Sequence, residues 1–239
     1  MMRDLPLLSV IVPVYNGADT LPDAIASIQQ QTGATLEIIV VDDGSTDASA
    51  AVARACGQAI TCVTQTNQGP AAARNHGLQL AHGAFVGFLD ADDIWPADRV
   101  RHHLEIFEQT PATEIVIGTT KMVHLSPTYD RAILPIMPAP TIQHQLGSAT
   151  FRRQVFARVG LFDPALLRGE DSDWFRRALR MGVPIRLTRT IAVEYRMQEG
   201  SLTYGTLNHA HWFLAALRAD LQRRRRSASD TDLASEASA

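Results

Sequence analysis

The chain has 239 residues, of which 46% are hydrophobic and 20% charged, and its formal net charge at pH 7 is -3. This is the composition of an ordinary globular protein with room for one sizeable core, and it lacks the basic surface that a nucleic-acid partner requires. Cys56 and Cys62 are too few for a disulfide framework and have no metal-ligand spacing, and no run reaches the roughly 18 apolar residues of a membrane span.

The apolar start, LPLLSVIVPVYNG, is followed by no cleavage-site pattern, so a cytosolic protein is expected. Leu8–Val12 reads as a strand, and Thr20–Gln31 as a helix with Leu21, Ile25 and Ile28 on one face. Strand Leu36–Val41, helix Ser49–Ala55, strand Ile60–Thr64, helix Ala71–Ala81 and strand Ala84–Leu89 follow. A helix over Ala97–Glu108 and a strand over Glu114–Ile117 close this run. Apolar strands alternating with amphipathic helices imply βαβ units and a mostly parallel sheet covered on both faces.

Residues 119–147, with Pro127, Pro135, Pro138 and Pro140, show no period and read as a long loop. Helices are expected at Arg152–Val159 and Asp171–Met181, and short strands near Pro184–Leu187 and Ile191–Tyr195. A last helix within 202–226 precedes a Ser/Ala/Asp-rich tail, 227–239, expected to be disordered.

Open α/β sheets bind ligands at the carboxyl ends of their strands. Here the first strand ends in Pro13-Val14-Tyr15-Asn16, the second in Asp42-Asp43-Gly44-Ser45 and the fourth in Asp90-Ala91-Asp92-Asp93. Crowded carboxylates repel one another unless a cation joins them, and an all-oxygen donor set favours Mg²⁺ or Mn²⁺. Such a cation suits a diphosphate. Neither GxGxxG nor GxxxxGK[ST] occurs, so metal and arginine are left to hold phosphates, with Arg74 the candidate.

The strings VIVPVYN, VVDDGSTD, NQGPAAARN, FLDADD and GEDSDWFRRALRMG stand in the order and spacing of the family-2 glycosyltransferases, which the chain resembles over about residues 7–201. The resemblance implies a single GT-A domain, Rossmann-like, with a nucleotide-sugar half (1–118) and an acceptor half (119–201). It implies that Pro13 and Tyr15 line the nucleobase beside Asn16, and that Asp43 binds the base or ribose. Asp90-Ala91-Asp92 looks like the DxD motif, with Asp92 on the metal and Asp90 on ribose or a metal-bound water. Asp171, after Glu170, matches the general base of an inverting transfer from a nucleoside-diphosphate sugar, uridine-based by resemblance. The acceptor is then a hydroxyl on a glycan or a lipid-linked molecule, as in cell-surface polysaccharide or glycolipid assembly.

Several of these residues also have plain structural readings. Asp47 precedes a helix and suits a cap, and Asp98 suits a first helical turn. Asp93 suits the turn after its strand, and Asp173 and Arg177, spaced i,i+4, suit a surface ion pair. Six histidines, His76, His82, His102, His103, His124 and His144, match no metal spacing and read as surface or loop residues. In Tyr195-Arg196-Met197-Gln198-Glu199-Gly200-Ser201 the family often has a metal-ligating histidine where Gln198 stands, which opens the alternative of a sugar-nucleotide-binding scaffold with weak turnover. A sugar-nucleotide synthase is a further alternative, but its Gly-rich signature is missing. Trp212, Phe213, Leu217 and Leu221 followed by Arg223 to Arg226 fit either a helix packed on the core or peripheral contact with an anionic membrane.

Overall fold

The computed structural model describes residues 5–124, 141–142, 145–166 and 168–197. The 202–226 helix, the tail, Gln198 and most of the proline-rich stretch lie outside these residues.

Strand β1 (Leu7–Val14) is buried along nearly its whole length because it has strands on both edges and helices on both faces. Its alternation sorts two cores. Leu8, Val10, Val12 and Val14 face the layer of α1 (Leu21–Gln29), α2 (Ser49–Ala55) and α4 (Arg99–Gln109), whereas Ile11 faces α3 (Pro70–Leu80). Helix α1 opens with a proline in its first turn and buries Leu21, Ala24, Ile25 and Ile28. Helix α3 comes unusually close to the sheet, since a Cβ on Gly77 would stand 2.4 Å from Ile11 Cγ2. That approach carries the helix, and Arg74 with it, against the strand ends.

The sheet has eight strands among the described residues, in the order β3-β2-β1-β4-β7-β5-β6 with β8 on the far edge of β5. β2 (Thr35–Asp42), β3 (Ile60–Thr64) and β4 (Phe85–Phe88) run parallel to β1, as the sequence predicts. Beyond β4 the expectations need correcting. β7 (Ala149–Arg152) inserts antiparallel between β4 and β5 (Ile115–His124), just before α5 (Gln154–Val159), so the predicted helix at 152 starts later. β5 continues to His124 and pairs with β6 (Thr141–Ile142), so the predicted 119–147 loop contains strand at both ends. The two short strands expected near 184–195 are one bulged strand, β8 (Ile185–Met197).

Helix α6 (Glu170–Arg180) lies on an aromatic cluster of Phe88, Phe151, Phe156, Phe162, Trp174 and Phe175. Its closest ring pair is Phe156 and Trp174, with centroids 4.9 Å apart. The Asp173–Arg177 pair forms at 3.0 Å, but Asp173 is fully buried rather than on the surface. Its arginine also donates to the carbonyls of Val159 and Leu161, which anchors the α5–α6 connection.

Candidate active site

The strand order reverses at β1: β2 and β3 lie to one side and β4 to the other. A crevice therefore opens between the carboxyl ends of β1 and β4, where such sheets take their ligands. Pro13 is buried in β1, and the next residues form the rim. Tyr15 leaves half its surface exposed, at 52%. Asn16 adopts a left-handed conformation at φ 51°, and its Oδ1 accepts the N–H of Thr46 at 2.8 Å. Ser45, Asp47 and Ser49 in turn accept the N–H groups of Asn16, Ala18 and Gly17, so the GSTD turn fixes the rim. Asp47 also accepts the Ser49 N–H at 2.9 Å, but the cap position of α2 is Ala48, so Asp47 ties down the approach to the helix rather than capping it.

Asp43 is 4% exposed and already has partners. Its carboxylate accepts from the Gln65 side chain at 2.8 Å and from the N–H groups of Gln68 and Gly69 at 2.9 and 2.8 Å. A carboxylate offers roughly four acceptor positions, so three of them shape the loop leading into α3.

Four other candidates come together. Arg74, buried in the first turns of α3, donates from Nη2 to Asp90 Oδ1 at 2.6 Å and from Nη1 to Glu170 Oε1 at 2.5 Å. Arg74, the expected phosphate holder, thus has one N–H of each terminal nitrogen on a carboxylate. Asp90 keeps 41% of its side chain exposed to the crevice, while Glu170 is almost covered. Gly169, in the left-handed conformation at φ 79°, turns the chain into α6 so that Glu170 and Asp171 head the helix. Burial, and then the negative charge of Glu170, push the Asp171 carboxyl up to about 6.

Burial, and then the charge of Asp90, likewise push Asp92 up to about 6. Asp93 is 1% exposed, and burial, then the charges of Asp92 and Asp90, push it well above the ordinary carboxylate value. Its Oδ1 accepts the Arg196 N–H at 3.0 Å, and its Oδ2 is buried without a hydrogen-bond partner. Asp93 thus belongs to the turn, through its N–H on the Asp90 carbonyl, and also to the acidic group.

This excess of carboxylate over cation, all oxygen donors, fits a hard divalent ion. Among the described residues no three acidic, imidazole or thiol groups form a ready-made cage. A Mg²⁺-like ion does not need one, because it keeps waters and shares itself between one or two carboxylates and substrate phosphates. Asp90 and Asp92 are the carboxylates that could share such an ion with a substrate, and Gln198 lies outside the described residues.

Two residues that the sequence reading did not single out complete the site. Arg196, near the end of β8, donates to the Asp92 carbonyl at 2.5 Å and to Asp23 of α1 at 3.0 Å. With the Ile94–Glu194 bridge, it straps β8 across the DADD turn. Asn75 clasps the backbone of Phe162, donating to its carbonyl and accepting its N–H. Its only signal was a polar side chain inside an otherwise small, buried helix face of Ala71, Ala73 and Gly77.

The sequence profile described as "Glycosyl transferase family 2" matches residues 9–165. The chain belongs to glycosyl transferase family 2. The succinoglycan biosynthesis protein ExoO of Rhizobium meliloti is 31% identical over 241 residues, covering 92% of this chain and 69% of that one. An uncharacterized glycosyltransferase of Rickettsia typhi is 27% identical over 216 residues, covering 85% and 68%. The family's GT-A fold is seen in S. aureus TarS bound to UDP-GlcNAc, with TM-score 0.70 and 20% identity over 89% of this chain and 64% of that one. It is seen also in the mannosyltransferase PcManGT of Pyrobaculum calidifontis with GDP-Man and Mn²⁺, with TM-score 0.66 and 22% identity over 83% and 59%. This family-2 chain thus spans about two thirds of those curated relatives' length and somewhat less of the solved structures.

Proposed function

We propose that the chain transfers a sugar, with inversion, from a nucleoside-diphosphate sugar of the UDP type to a hydroxyl acceptor on a glycan or lipid-linked molecule. The observation that carries this reading is the meeting of Asp90 and Glu170 on one guanidinium, which joins the donor-motif strand to the helix that presents Asp171. In this reading Tyr15, with Pro13 and Asn16 behind it, stacks on the base, and the remaining acceptor position of Asp43 takes a base or ribose donor. Asp90 and Asp92 would hold Mg²⁺ or Mn²⁺, which would offset the negative charge that a diphosphate leaving group develops. Asp171 accepts the proton of the acceptor hydroxyl. A carboxylate near 6 is ionised at neutral pH yet more basic than an ordinary aspartate, which suits that task.

The likeness to a succinoglycan biosynthesis protein supports a place in surface-polysaccharide assembly, and the same proposal includes a cytosolic location with membrane contact through Arg223 to Arg226. No described helix is long and apolar enough to cross a membrane.

The test is a panel of UDP-, GDP- and dTDP-sugars with Mn²⁺ or Mg²⁺, read by nucleotide release and by calorimetry. Binding that is lost with EDTA, and turnover reduced about 10²-fold or more by Asp171→Asn with nucleotide binding retained, is expected. Wild-type protein that binds no nucleotide with either metal overturns the reading.

A further inference from the structure

We infer that Arg74 is a positioning residue, with Glu170 its anchor, that holds the helix bearing Asp171 in fixed register against Asp90; the inference rests on the glycosyl-transfer reading above. A phosphate ligand needs free N–H groups facing the crevice. Arg74 is poorly placed to offer them: it is 6% exposed, one N–H of Nη1 goes to Glu170 and one of Nη2 to Asp90, and among the described residues its buried Nε has no partner. To turn toward a diphosphate it would have to loosen its hold on Glu170, whose covered charge would then lose its partner, a costly exchange. The planar fork of arginine suits the observed task instead, since it bridges two carboxylates at a fixed separation.

A second contact makes the arrangement a clamp. Asn75, the next residue of α3, holds the backbone of Phe162 by two hydrogen bonds of 2.8 and 2.9 Å. One helix turn thereby grips both ends of the 162–170 segment, Phe162 through Asn75 and Glu170 through Arg74. Asp171 follows Glu170 directly, so its place relative to Asp90 is set by α3 rather than by its own short loop. Misplacement of a catalytic group by about 1 Å can cost about 10² in rate.

The experiment compares Arg74→Met, Arg74→Lys, Glu170→Gln and the double variant Arg74→Met/Glu170→Gln in the full chain. Donor kcat, donor KM and UDP binding with Mn²⁺ are measured for each. Both single neutral variants are expected to lose about 10² in kcat with donor KM within about threefold, and the double variant to be no worse than either. Arg74→Lys, a point charge without the fork, is expected to recover less than about tenfold. A tenfold or larger rise in KM and UDP Kd for Arg74→Met, with kcat kept and Glu170→Gln silent, overturns the inference and makes Arg74 a phosphate ligand.

If the wild type turns over no donor, it is the glycosyl-transfer reading that fails, and the link is read by urea denaturation. Asp90→Asn and Glu170→Gln should then be non-additive with Arg74 present and additive in the Arg74→Met background. Additivity in both backgrounds overturns the link itself.

Discussion

Asn75 and Phe162 hold each other through a reciprocal pair, Nδ2 to carbonyl at 2.8 Å and backbone N–H to Oδ1 at 2.9 Å, across 87 residues of sequence. Neither partner has a second way to satisfy these groups within the packed interface, so truncation leaves a backbone donor and acceptor without their partner. Asn75→Ala is expected to destabilise the fold by about 1–3 kcal/mol in urea denaturation. Amide protection should fall first around residues 160–166.

Under the proposed mechanism Asp171 sets an acidic limb. With its carboxyl near 6, the fraction ionised falls about tenfold per unit once the pH drops below that value, and the rate should follow. Glu170 raises the Asp171 value by its charge, so in Glu170→Gln the limb should move to lower pH in whatever activity remains. A limb that stays in place in Asp171→Asn would show that another group carries it.

His103 is fully buried, contrary to the surface position that its polarity suggests, with Nδ1 on Thr150 Oγ1 at 2.9 Å and Nε2 without a partner. Burial, then the charges of Arg99 and His102, hold it well below 6.5. Above pH 6.5 it is neutral both folded and unfolded and contributes no pH dependence. Below that, the unfolded chain takes a proton that the folded one refuses, so stability should fall by about 1.4 kcal/mol per unit until the folded value is reached. His103→Gln should flatten this limb in denaturation midpoints measured from pH 5 to 7.

Arg99 stacks 3.8 Å over the Trp95 ring and gives Nη2 to the Ala149 carbonyl at 2.6 Å, while Nε and Nη1 have no hydrogen-bond partner. Among the described residues no carboxylate offsets its burial, which pushes it down to about 9. An apolar side chain of similar length loses little there: Arg99→Met should cost less than about 1.5 kcal/mol or stabilise the fold. Arg99→Ala leaves a cavity as well, and about 2–5 kcal/mol is expected. Chemical denaturation of the two variants side by side distinguishes the cost of the charge from that of the volume.

The first four strands were legible because each is a short apolar or β-branched run set off by helical stretches, a pattern that local sequence carries. β7 was not. Ala149-Thr150-Phe151-Arg152 is strand only because β4 and β5 stand on either side of it, and locally it reads as the approach to α5. The gap Thr188-Arg189-Thr190 looks like a turn in sequence, but it is a bulge taken up by the long pairing of β8 with β5. His103 had a readable signal in its spacing with Val100, Leu104 and Phe107, the buried face of α4, and residue type misled where position did not. In the site, the acidic strand ends were visible, but the occupation of Arg74 was not, because Glu170 lies 96 residues away.

The insertion of β7 beside β4 also dictates an order of assembly. Residues up to the end of β4 are made before residues 149–152, although only β1–β2 and β2–β3 pair from near neighbours and β4 closes on β1 across most of that length. One edge of β4 then waits, unpaired, until residues 149–152 exist and fold back against it. During that interval Phe85 to Phe88 present an open apolar strand edge, the kind of surface that invites mispairing with another chain. Arg74 and Asp90 can meet Glu170 only once residues 170–171 have been made, so the nascent chain carries the first part of its acidic rim before the helix headed by Glu170 and Asp171.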